Sequence, residues 1–523
     1  GTRVQLAAIA GPGVVGLSGD GGNWSVQVPD AVARADIQLL NGSQISTIST
    51  NGGEVRLWGN NVLLRGGSRI ITSDLQSIPL DPAMEPGDPG SGSGGQVSIH
   101  ATGLVELSGA ARSRFVRSSI LAQSTGLGRG GDVTITARQL WMQDAATIST
   151  RSLSGAGAGG SVTIQASDRV QLLGIPGDFR PTSISTSGGQ GQSGDVTITT
   201  AQFLAQGNTR IETFTSGDGA GGNLTITARD SVQLLGSQPF EVPNLPLFAQ
   251  IRAFAFLVTS TSGNGNAGNI TINTDRLLVQ DRAYIDARSS GLGAAGNITI
   301  NATDSVQLIN RDSSIRVEPE AINSQLTARI TTETSSEGGG GDLTINTRHL
   351  LLQNGPTITT TTSGVAAGGN LTINATESVT VIGNIPALSL ELPPAITSEI
   401  GTGTDWQGAA GNLTIATQRL LVQDGGQIRT DSTNQFGEAG AAGQLTVIAR
   451  ESVVLRGSNP AGTPSTLSAR TQGSGQGGDI NLSTGQLQLQ DRAIISTETL
   501  TTGRAGTLNL QATNLELSGA AQI

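Results

Sequence analysis

Apolar and polar residues alternate along this chain in a short phrase that recurs from end to end. Its fullest form is GGNLTITA at 221–228, where paired glycines precede alternating aliphatic and hydroxyl residues. Glycine permits a sharp corner, and a period of two is typical of a strand with one buried face. In the copy at 130–137 the alternation predicts that Val133, Ile135 and Ala137 face a core. The β-branched residues of the phrase favour strand over helix.

Fifteen copies of the phrase predict one repetitive body rather than several globular domains. Close copies begin at Gly130, Gly221, Gly268, Gly296, Gly340, Gly368 and Gly411, and looser ones at Gly22, Gly53, Gly95, Gly160, Gly194, Gly443, Gly478 and Gly506. We treat 1–523 as a single repeat region that is less regular over 1–93 and regular over 94–523. The proline-dense stretch 78–93 is expected to be a surface loop within it. Because the sequence starts and stops inside a repeat, we expect both ends to be truncated.

Each repeat contains three strand-like pieces, as in DVTITA, QLWMQ and ATISTRS within 132–152. In an antiparallel meander an odd number of strands would reverse alternate copies, whereas a parallel coil keeps every copy alike. Stacking then places Val133 over Val162 and Val196 at the strand spacing of about 4.8 Å. The predicted fold is all-β: a right-handed parallel β-helix, a three-sided solenoid of about fifteen coils, with loop insertions at one corner.

Short and long coils alternate. The second strand of a short coil ends in a turn such as QDR at Gln280 or QNG at Gln353, and long coils carry insertions between their second and third strands. These insertions begin at Gly174, Gly236, Asn310, Gly383 and Gly457. Binding is expected to reside in two of them, around Pro239 to Phe256 and Asn310 to Gln325.

Outward positions of the second strand also alternate with coil type. Short coils carry Trp141, Leu204, Leu278, Leu351 and Leu421 there, and long coils carry Gln171, Gln233, Gln307, Thr380 and Val454. An exposed apolar stripe of this kind signals a partner, unless the Pro- and Phe-rich insertions fold over it, and both interpretations remain open. The candidate partner-binding residues are Trp141, Leu278, Leu351 and Leu421 of this stripe, with Phe240, Phe248, Phe254 and Phe256 of one insertion.

Composition narrows the function classes. The net charge is −10, lysine is absent and arginine is scattered, so we expect no nucleic-acid partner. The chain has no cysteine, which excludes disulfides, thiolate catalysis and cysteine metal sites. No apolar run is long enough for a transmembrane helix, and no cofactor is predicted.

An Asn or Asp opens most first strands and raises the question of a cation ladder. These residues are Asn23, Asp132, Asp195, Asn223, Asn269, Asn297, Asp342, Asn370, Asn412 and Asp479. Carboxylates occupy only alternate coils, about 10 Å apart, which is too far to share an ion. The favoured interpretation is a corner residue that bonds the backbone, so no metal site is predicted.

Catalytic signals are sparse, and we predict that the protein is not an enzyme. Acidic residues near third strands are Glu212, Asp286, Glu333 and Glu498, of which no two are obvious neighbours. The two histidines, His100 and His349, fall in different coils and are expected to be ordinary surface residues. A polysaccharide-active β-helix enzyme, a lyase or hydrolase, remains the alternative.

Ser/Thr runs such as QISTIST at Gln44 and TITTTTSG at Thr357 suggest an ice- or crystal-binding solenoid as a second alternative. Such binding needs a flat hydroxyl face, and Glu212, Asp286 and Arg429 interrupt it. Threonine is also simply a good residue for a strand surface.

The segments GGNLTITARDSVQLLG at 221–236 and AGNITINTDRLLVQDRAYIDARSSG at 267–291 resemble passenger repeats of filamentous-haemagglutinin-like exoproteins of two-partner secretion, particularly the cyanobacterial type. The opening RVQLAAIAGPGVVGL at 3–17 is similar to the stretch after the secretion domain of such proteins. The resemblance covers nearly the whole chain, although the Asn-Pro-Asn-Gly secretion signature is absent from it.

This resemblance implies export through an outer-membrane β-barrel transporter as partner, and an extracellular or outer-membrane-surface location. We therefore expect a non-enzymatic, β-helical adhesin or structural rod that binds a surface or matrix glycan or protein.

Overall fold

The computed structural model is built of strands, and no helix occurs in the ranges that it describes. These ranges are 2–20, 23–49, 52–73, 92–109, 116–152, 157–175, 180–236, 254–311, 327–335, 337–383, 397–433, 440–500 and 502–523. The chain divides into two compact units: Gly1–Arg229 with Gly263–Gly265, and Asp230–Ser262 with Asn266–Ile523.

The first unit contains β1 (Arg3–Ala7), β2 (Gly16–Asp20), β3 (Asn23–Gln27), β4 (Ile37–Leu39), β5 (Gln44–Ile48), β6 (Glu54–Gly59), β7 (Val62–Arg65), β8 (Arg69–Ser73), β9 (Gln96–Ala101), β10 (Leu104–Ser108), β11 (Ser119–Gln123), β12 (Val133–Gln143), β13 (Thr147–Arg151), β14 (Val162–Leu173), β15 (Thr182–Ser187), β16 (Val196–Gln206) and β17 (Thr209–Thr215). The division between the units falls within β18 (Leu224–Leu235).

The second unit contains β19 (Ala255–Thr261), β20 (Ile270–Gln280), β21 (Tyr284–Ser289), β22 (Ile298–Ile309), β23 (Arg329–Thr334), β24 (Leu343–Gln353), β25 (Thr357–Thr362), β26 (Leu371–Ile382), β27 (Glu399–Thr404), β28 (Leu413–Gln423), β29 (Gln427–Ser432), β30 (Leu445–Arg456), β31 (Thr466–Thr471), β32 (Ile480–Gln490), β33 (Ile494–Thr499) and β34 (Leu508–Leu517).

Equivalent strands of successive coils pair in parallel within each unit, which confirms the parallel β-helix. Val133 pairs with Val162, and Val162 with Val196, as the stacking of repeats predicts. In the second unit the even-numbered strands β20 to β34 pair in sequence, and so do the odd-numbered strands β19 to β33.

The three predicted strands of a regular coil form two sheets rather than three. The first two pieces join into one long strand with a bulge, for example where Ala137 and Gln139 of β12 pair with Ala166 and Arg169 of β14. The long coil thus has one more residue at the bulge than the short coil. We call the sheet of the long strands sheet 1 and the sheet of the third strands sheet 2.

Inward side chains form continuous aliphatic columns along both sheets. Val133, Ile135, Leu140, Met142 and Ile148 of one coil are all fully buried, as the alternation predicts. Equivalent positions in most other regular coils are also buried and aliphatic; Phe203 takes one of them, and the leucines of β34 at the end of the stack are partly exposed. Since each coil leaves the edges of its core open, burial depends on the coil stacked next to it.

The copy of the phrase at Gly22 does not begin a coil, contrary to the sequence prediction. Asn23–Gln27 instead forms an antiparallel hairpin with Gly16–Asp20, and Trp24 is 65% exposed. The first coil begins with β1, which pairs in parallel with β6. An alternating pattern fits either pairing mode, so local sequence could not distinguish the hairpin from a coil. With β1 in that place, fifteen strands of the described ranges open a coil.

Sheet 2 also has an inward column of threonines, which the sequence analysis treated as surface residues. Each hydroxyl donates a hydrogen bond to the carbonyl oxygen of the glycine just before the next first strand; Thr332 bonds Gly341 at 2.6 Å and Thr360 bonds Gly369 at 2.6 Å. The same bond is made by Thr72, Thr150, Thr186, Thr213, Thr259, Thr402, Thr430 and Thr497. This hydroxyl ties sheet 2 to the glycine corner of its own coil.

Thr360→Val is expected to destabilise the protein by about 1–2 kcal/mol, because it leaves a buried carbonyl without this donor while keeping the side-chain shape. Thr361→Val, one residue further on an outward position, is the matched control and should change stability by less than about 0.5 kcal/mol. Urea unfolding of both variants checks this difference. Equal effects would mean that the inward hydroxyl is not what stabilises the corner.

Candidate functional site

The outward side of sheet 2 carries most of the unusual chemistry of the second unit. Each third strand has an inward isoleucine or leucine, followed two residues later by an inward threonine or alanine. The residues that alternate with these therefore point outward. From β19 to β31 these outward positions hold aromatic, acidic and arginine side chains on adjacent strands. Two groups stand out: an acid–aromatic cluster and a cleft.

The acid–aromatic cluster begins with stacked rings on adjacent strands. The rings of Phe256 and Tyr284 are stacked with centroids 4.9 Å apart, and Phe254 meets Tyr284 edge-on at 6.3 Å. Arg329 is the register partner of Tyr284 on β23, and its guanidinium lies over the Tyr284 ring, 4.5 Å from the ring centroid. Such cation–π stacking holds the arginine against the sheet. Phe254 and Phe256, two predicted site residues, therefore belong to this cluster.

Asp286 is the buried acid of the cluster. Its side chain is fully buried, and only the long ion pairs with Arg288 at 3.7 Å and Arg329 at 3.9 Å neutralise it. Neither carboxylate oxygen has a hydrogen-bond partner among the described residues. Burial raises the pKa of Asp286 to about 6; Arg288 and Arg329 oppose this rise and Glu333 adds to it. An acid of this kind exchanges protons near neutral pH.

Glu333 lies on the strand next to Asp286, because its register partner is Arg288, two residues beyond that aspartate. The prediction that no two acids of the third strands are neighbours is therefore wrong for this pair. The two residues are far apart in sequence and a long insertion separates them, so only the register of sheet 2 brings them together. By contrast, Glu212 pairs with Arg210 on its own strand, and Glu498 lies 3.9 Å from Arg470.

The glycine cleft lies further along the same face, where β27 has glycine at two outward positions. Gly401 and Gly403 stand between Thr359 and Thr361 on one side and Arg429 and Asp431 on the other. The missing side chains leave a cleft of about 300 Å³. Its further lining comes from Glu333, Thr362, Ser363, Glu399, Thr402, Thr404, Asp405 and Thr433.

Ion pairs form one wall of the glycine cleft. Arg429 makes a bidentate pair with Glu399, with both N–O distances 2.7 Å, and its third nitrogen lies 3.4 Å from Asp431. Asp431 also pairs with Arg470 at 3.3 Å. The two carboxylates, Glu399 first, raise the pKa of the Arg429 guanidinium, and burial raises the pKa of Asp431. The wall is thus a fixed network rather than a set of free charges.

Sheet 2 of the first unit has a groove of its own, of about 540 Å³. Serines at outward positions, including Ser149, Ser183 and Ser185, form its floor, and Arg210, Glu212 and Phe214 lie on one side. Short hydroxyl side chains open this groove, in the same way that glycines open the cleft in the second unit.

The predicted apolar stripe exists as a row on sheet 1. Trp141 is 40% exposed, and Leu278, Leu351 and Leu421 are half-buried. In register they alternate with Gln307, Thr380 and Val454, as predicted. Phe240 and Phe248, and most residues of the insertions proposed to cover the stripe, lie outside the described residues, so its role as a partner surface stays a prediction.

The Asn and Asp residues that open first strands bond the backbone of the next coil, which confirms their structural interpretation. The Asp132 carboxylate accepts from the Ser161 N–H at 2.8 Å, and the Asp342 carboxylate accepts from the Asn370 N–H at 2.8 Å. Asn23 is the exception because it lies in the hairpin. Grouped His, Cys, Asp or Glu side chains able to hold a metal ion are not found in the described ranges.

The two histidines have separate structural contacts. His100 stacks on Trp58 with centroids 5.9 Å apart, and burial with nearby Arg34 and Arg56 lowers its pKa. His349 hydrogen-bonds the Ser378 hydroxyl at 2.9 Å. Its Nε2 atom lies 3.5 Å from the Glu377 carboxylate, which is also 3.5 Å from Arg348, so a serine, a histidine and a carboxylate meet at this point of sheet 1. The serine contacts Nδ1 rather than Nε2 and the carboxylate is shared with arginine, so the arrangement differs from a Ser-His-Asp triad.

No family model matches the chain, and no curated protein or solved structure matches it either. Over the part of the chain that the structure describes, no helix is long and apolar enough to cross a membrane.

Proposed function

We propose that this chain is a β-helical adhesin or surface spacer, exported by a two-partner system and held at the outer-membrane surface or released from it. The observation that carries the proposal is the glycine cleft: an open recess on a sheet face whose surroundings are otherwise continuous rows of side chains. A stacked β-helix presents such a recess on a rigid scaffold, which favours recognition of a surface ligand.

The state of the carboxylates supports recognition rather than turnover. Glu212, Glu399 and Asp431 are each held in ion pairs with arginine, and such pairs fix the orientation of the acids. Arg429 interrupts the hydroxyl rows of the same face, as Glu212 and Asp286 do elsewhere on sheet 2, which disfavours an ice-binding surface.

Export and adhesion are tested separately. In the producing cells, protease added to intact cells is expected to digest the protein, or the protein is expected in the medium; full protection until the cells are lysed would contradict export. Beads coated with the full chain are expected to adhere to cells or extracellular matrix more than albumin-coated beads do. Equal adhesion would contradict the adhesin role.

A polysaccharide-active enzyme is the second candidate, and the neighbouring acids Asp286 and Glu333 favour it. Clustered carboxylates beside arginine are the groups that a lyase or hydrolase needs, and an acid with a pKa of about 6 is suited to proton transfer. Incubation with uronic-acid and neutral glycans tests it. Cleavage that disappears in both Asp286→Asn and Glu333→Gln would place this candidate above the adhesin.

A further inference from the structure

We propose that the glycine cleft binds a neutral saccharide unit, with Asp431, Glu399 and Arg429 as its polar contacts. This inference rests on the proposed function, since it names the ligand class of the same face. It goes further in assigning the site and the chemistry that the site recognises.

Gly403 is a glycine at a position where the backbone conformation does not require one. A Cβ at Gly403 would lie 3.7 Å from the Asp431 carbonyl oxygen and 3.9 Å from Thr361 Cγ2, which are ordinary contacts. Its φ is not in the left-handed region. Glycine inside a strand costs stability, and it commonly marks a place where a ligand approaches the backbone closely. What glycine provides at position 403 is therefore open space above the strand, not a backbone conformation that other residues cannot adopt.

The wall of the cleft contains an unsatisfied acceptor. Asp431 is only 6% exposed, and its Oδ1 atom has no hydrogen-bond partner among the described residues, although Oδ2 pairs with Arg470 and Arg429. A buried carboxylate oxygen left without a donor is costly. Asp431 lines the cleft, and its Oδ1 atom has almost no exposed surface, so a small movement of the carboxylate would let a ligand hydroxyl supply that donor.

The wall of the cleft also combines hydrogen-bond donors and acceptors. Arg429 has five N–H groups, and its contacts with Glu399 and Asp431 use three of them, so two remain for a ligand. The hydroxyls of Thr359 and Thr361 stand opposite. Neighbouring hydroxyls of a sugar both donate and accept, so they match such a wall, whereas an ammonium group uses acceptors only.

The charge of the lining narrows the ligand class further. The lining holds the carboxylates Glu333, Glu399, Asp405 and Asp431 but only one arginine, so an acidic sugar would be repelled.

The experiment uses the full chain on an array of neutral, amino and uronic-acid oligosaccharides, followed by calorimetry with the best ligand. Wild type is expected to bind a neutral saccharide, and Gly403→Thr is expected to weaken that binding at least about tenfold by filling the cleft. Its thermal midpoint should stay or rise, since threonine suits a strand. Ser496→Thr, at an outward position of β33 outside the cleft, is the matched control, and Thr361→Val provides a second, milder test in the cleft.

Each outcome decides the proposal. Loss of saccharide binding in Gly403→Thr alone, with stability retained, supports it. Unchanged binding in Gly403→Thr, or binding of uronic-acid or amino oligosaccharides in place of neutral ones, would overturn it. Absence of all binding would overturn it too. Bead adhesion measured in parallel separates the two claims: adhesion of the wild type without binding of any saccharide removes this inference and leaves the adhesin role intact.

Discussion

Gly341→Ala is expected to lower the free energy of unfolding by about 3 kcal/mol or more. A Cβ at Gly341 would lie 2.0 Å from the carbonyl oxygen of Gly296 in the preceding coil, and neither backbone can move without disturbing its neighbours. The carbonyl of Gly341 also accepts the bond from Thr332, so a shift loses that bond as well.

Gly339→Ala is the matched control for this substitution, because it lies in the same run of four glycines and a Cβ there would meet no atom within 4 Å. It should be neutral or slightly stabilising, since alanine reduces the freedom of the unfolded chain. Urea unfolding and hydrogen exchange across β24 check both variants. Similar stabilities for the two would show that close stacking of glycine corners does not hold the coils together.

Asp286→Asn is expected to stabilise the protein by about 3 kcal/mol at pH 7 to 8. Burial raises the pKa of Asp286 from 3.8 to about 6, so the folded protein holds this proton more tightly than the unfolded chain does. The contribution of Asp286 to stability is therefore present in full below about pH 4 and is lost as the pH rises to about 6. A neutral amide removes that loss while it keeps the shape of the side chain.

The measurement is the difference in unfolding free energy between variant and wild type at several pH values from 4 to 8. Arg288 and Arg329 lose their ion-pair partner in the variant, and Glu333 remains as the nearest acid. Asp275→Asn is the control, since it removes one carboxylate of the same coil at an exposed position. A variant that is less stable than the wild type at pH 8, or a stability difference that does not change with pH, would contradict the costly burial of the Asp286 charge.

The recurring phrase was enough to predict the coil and its core. Strict alternation identifies Val133, Ile135 and Ile148 as inward residues, and the odd number of strands per copy favours parallel stacking, which the structure confirms. Those inferences hold because every copy repeats the same local requirement. The copy of the phrase at Gly22 has the same alternation, but its strand forms a hairpin instead of opening a coil.

The inward threonines were missed because a run such as 357–362 is threonine or isoleucine at every position. Hydrophobicity alone marks Ile358 as buried but does not separate Thr360, which bonds Gly369, from the outward Thr361. The spacing from the isoleucine does separate them, because Thr360 lies two residues after Ile358 and so on the same face, whereas Thr361 lies three residues after it. The glycine corner at the correct distance supplies the acceptor that makes a buried hydroxyl acceptable.

The sequence by itself determined the all-β repeat, the inward aliphatic columns, the corner role of Asn and Asp, and the alternation of the apolar stripe, because each of these depends on residues within one coil. Only the tertiary structure decided that Asp286 neighbours Glu333, that Arg429 pairs with Glu399, and that two outward glycines open a cleft beside Asp431. These are contacts between neighbouring coils, and between Asp286 and Glu333 the chain also contains a long insertion. The register of sheet 2, rather than distance along the chain, therefore sets which side chains meet.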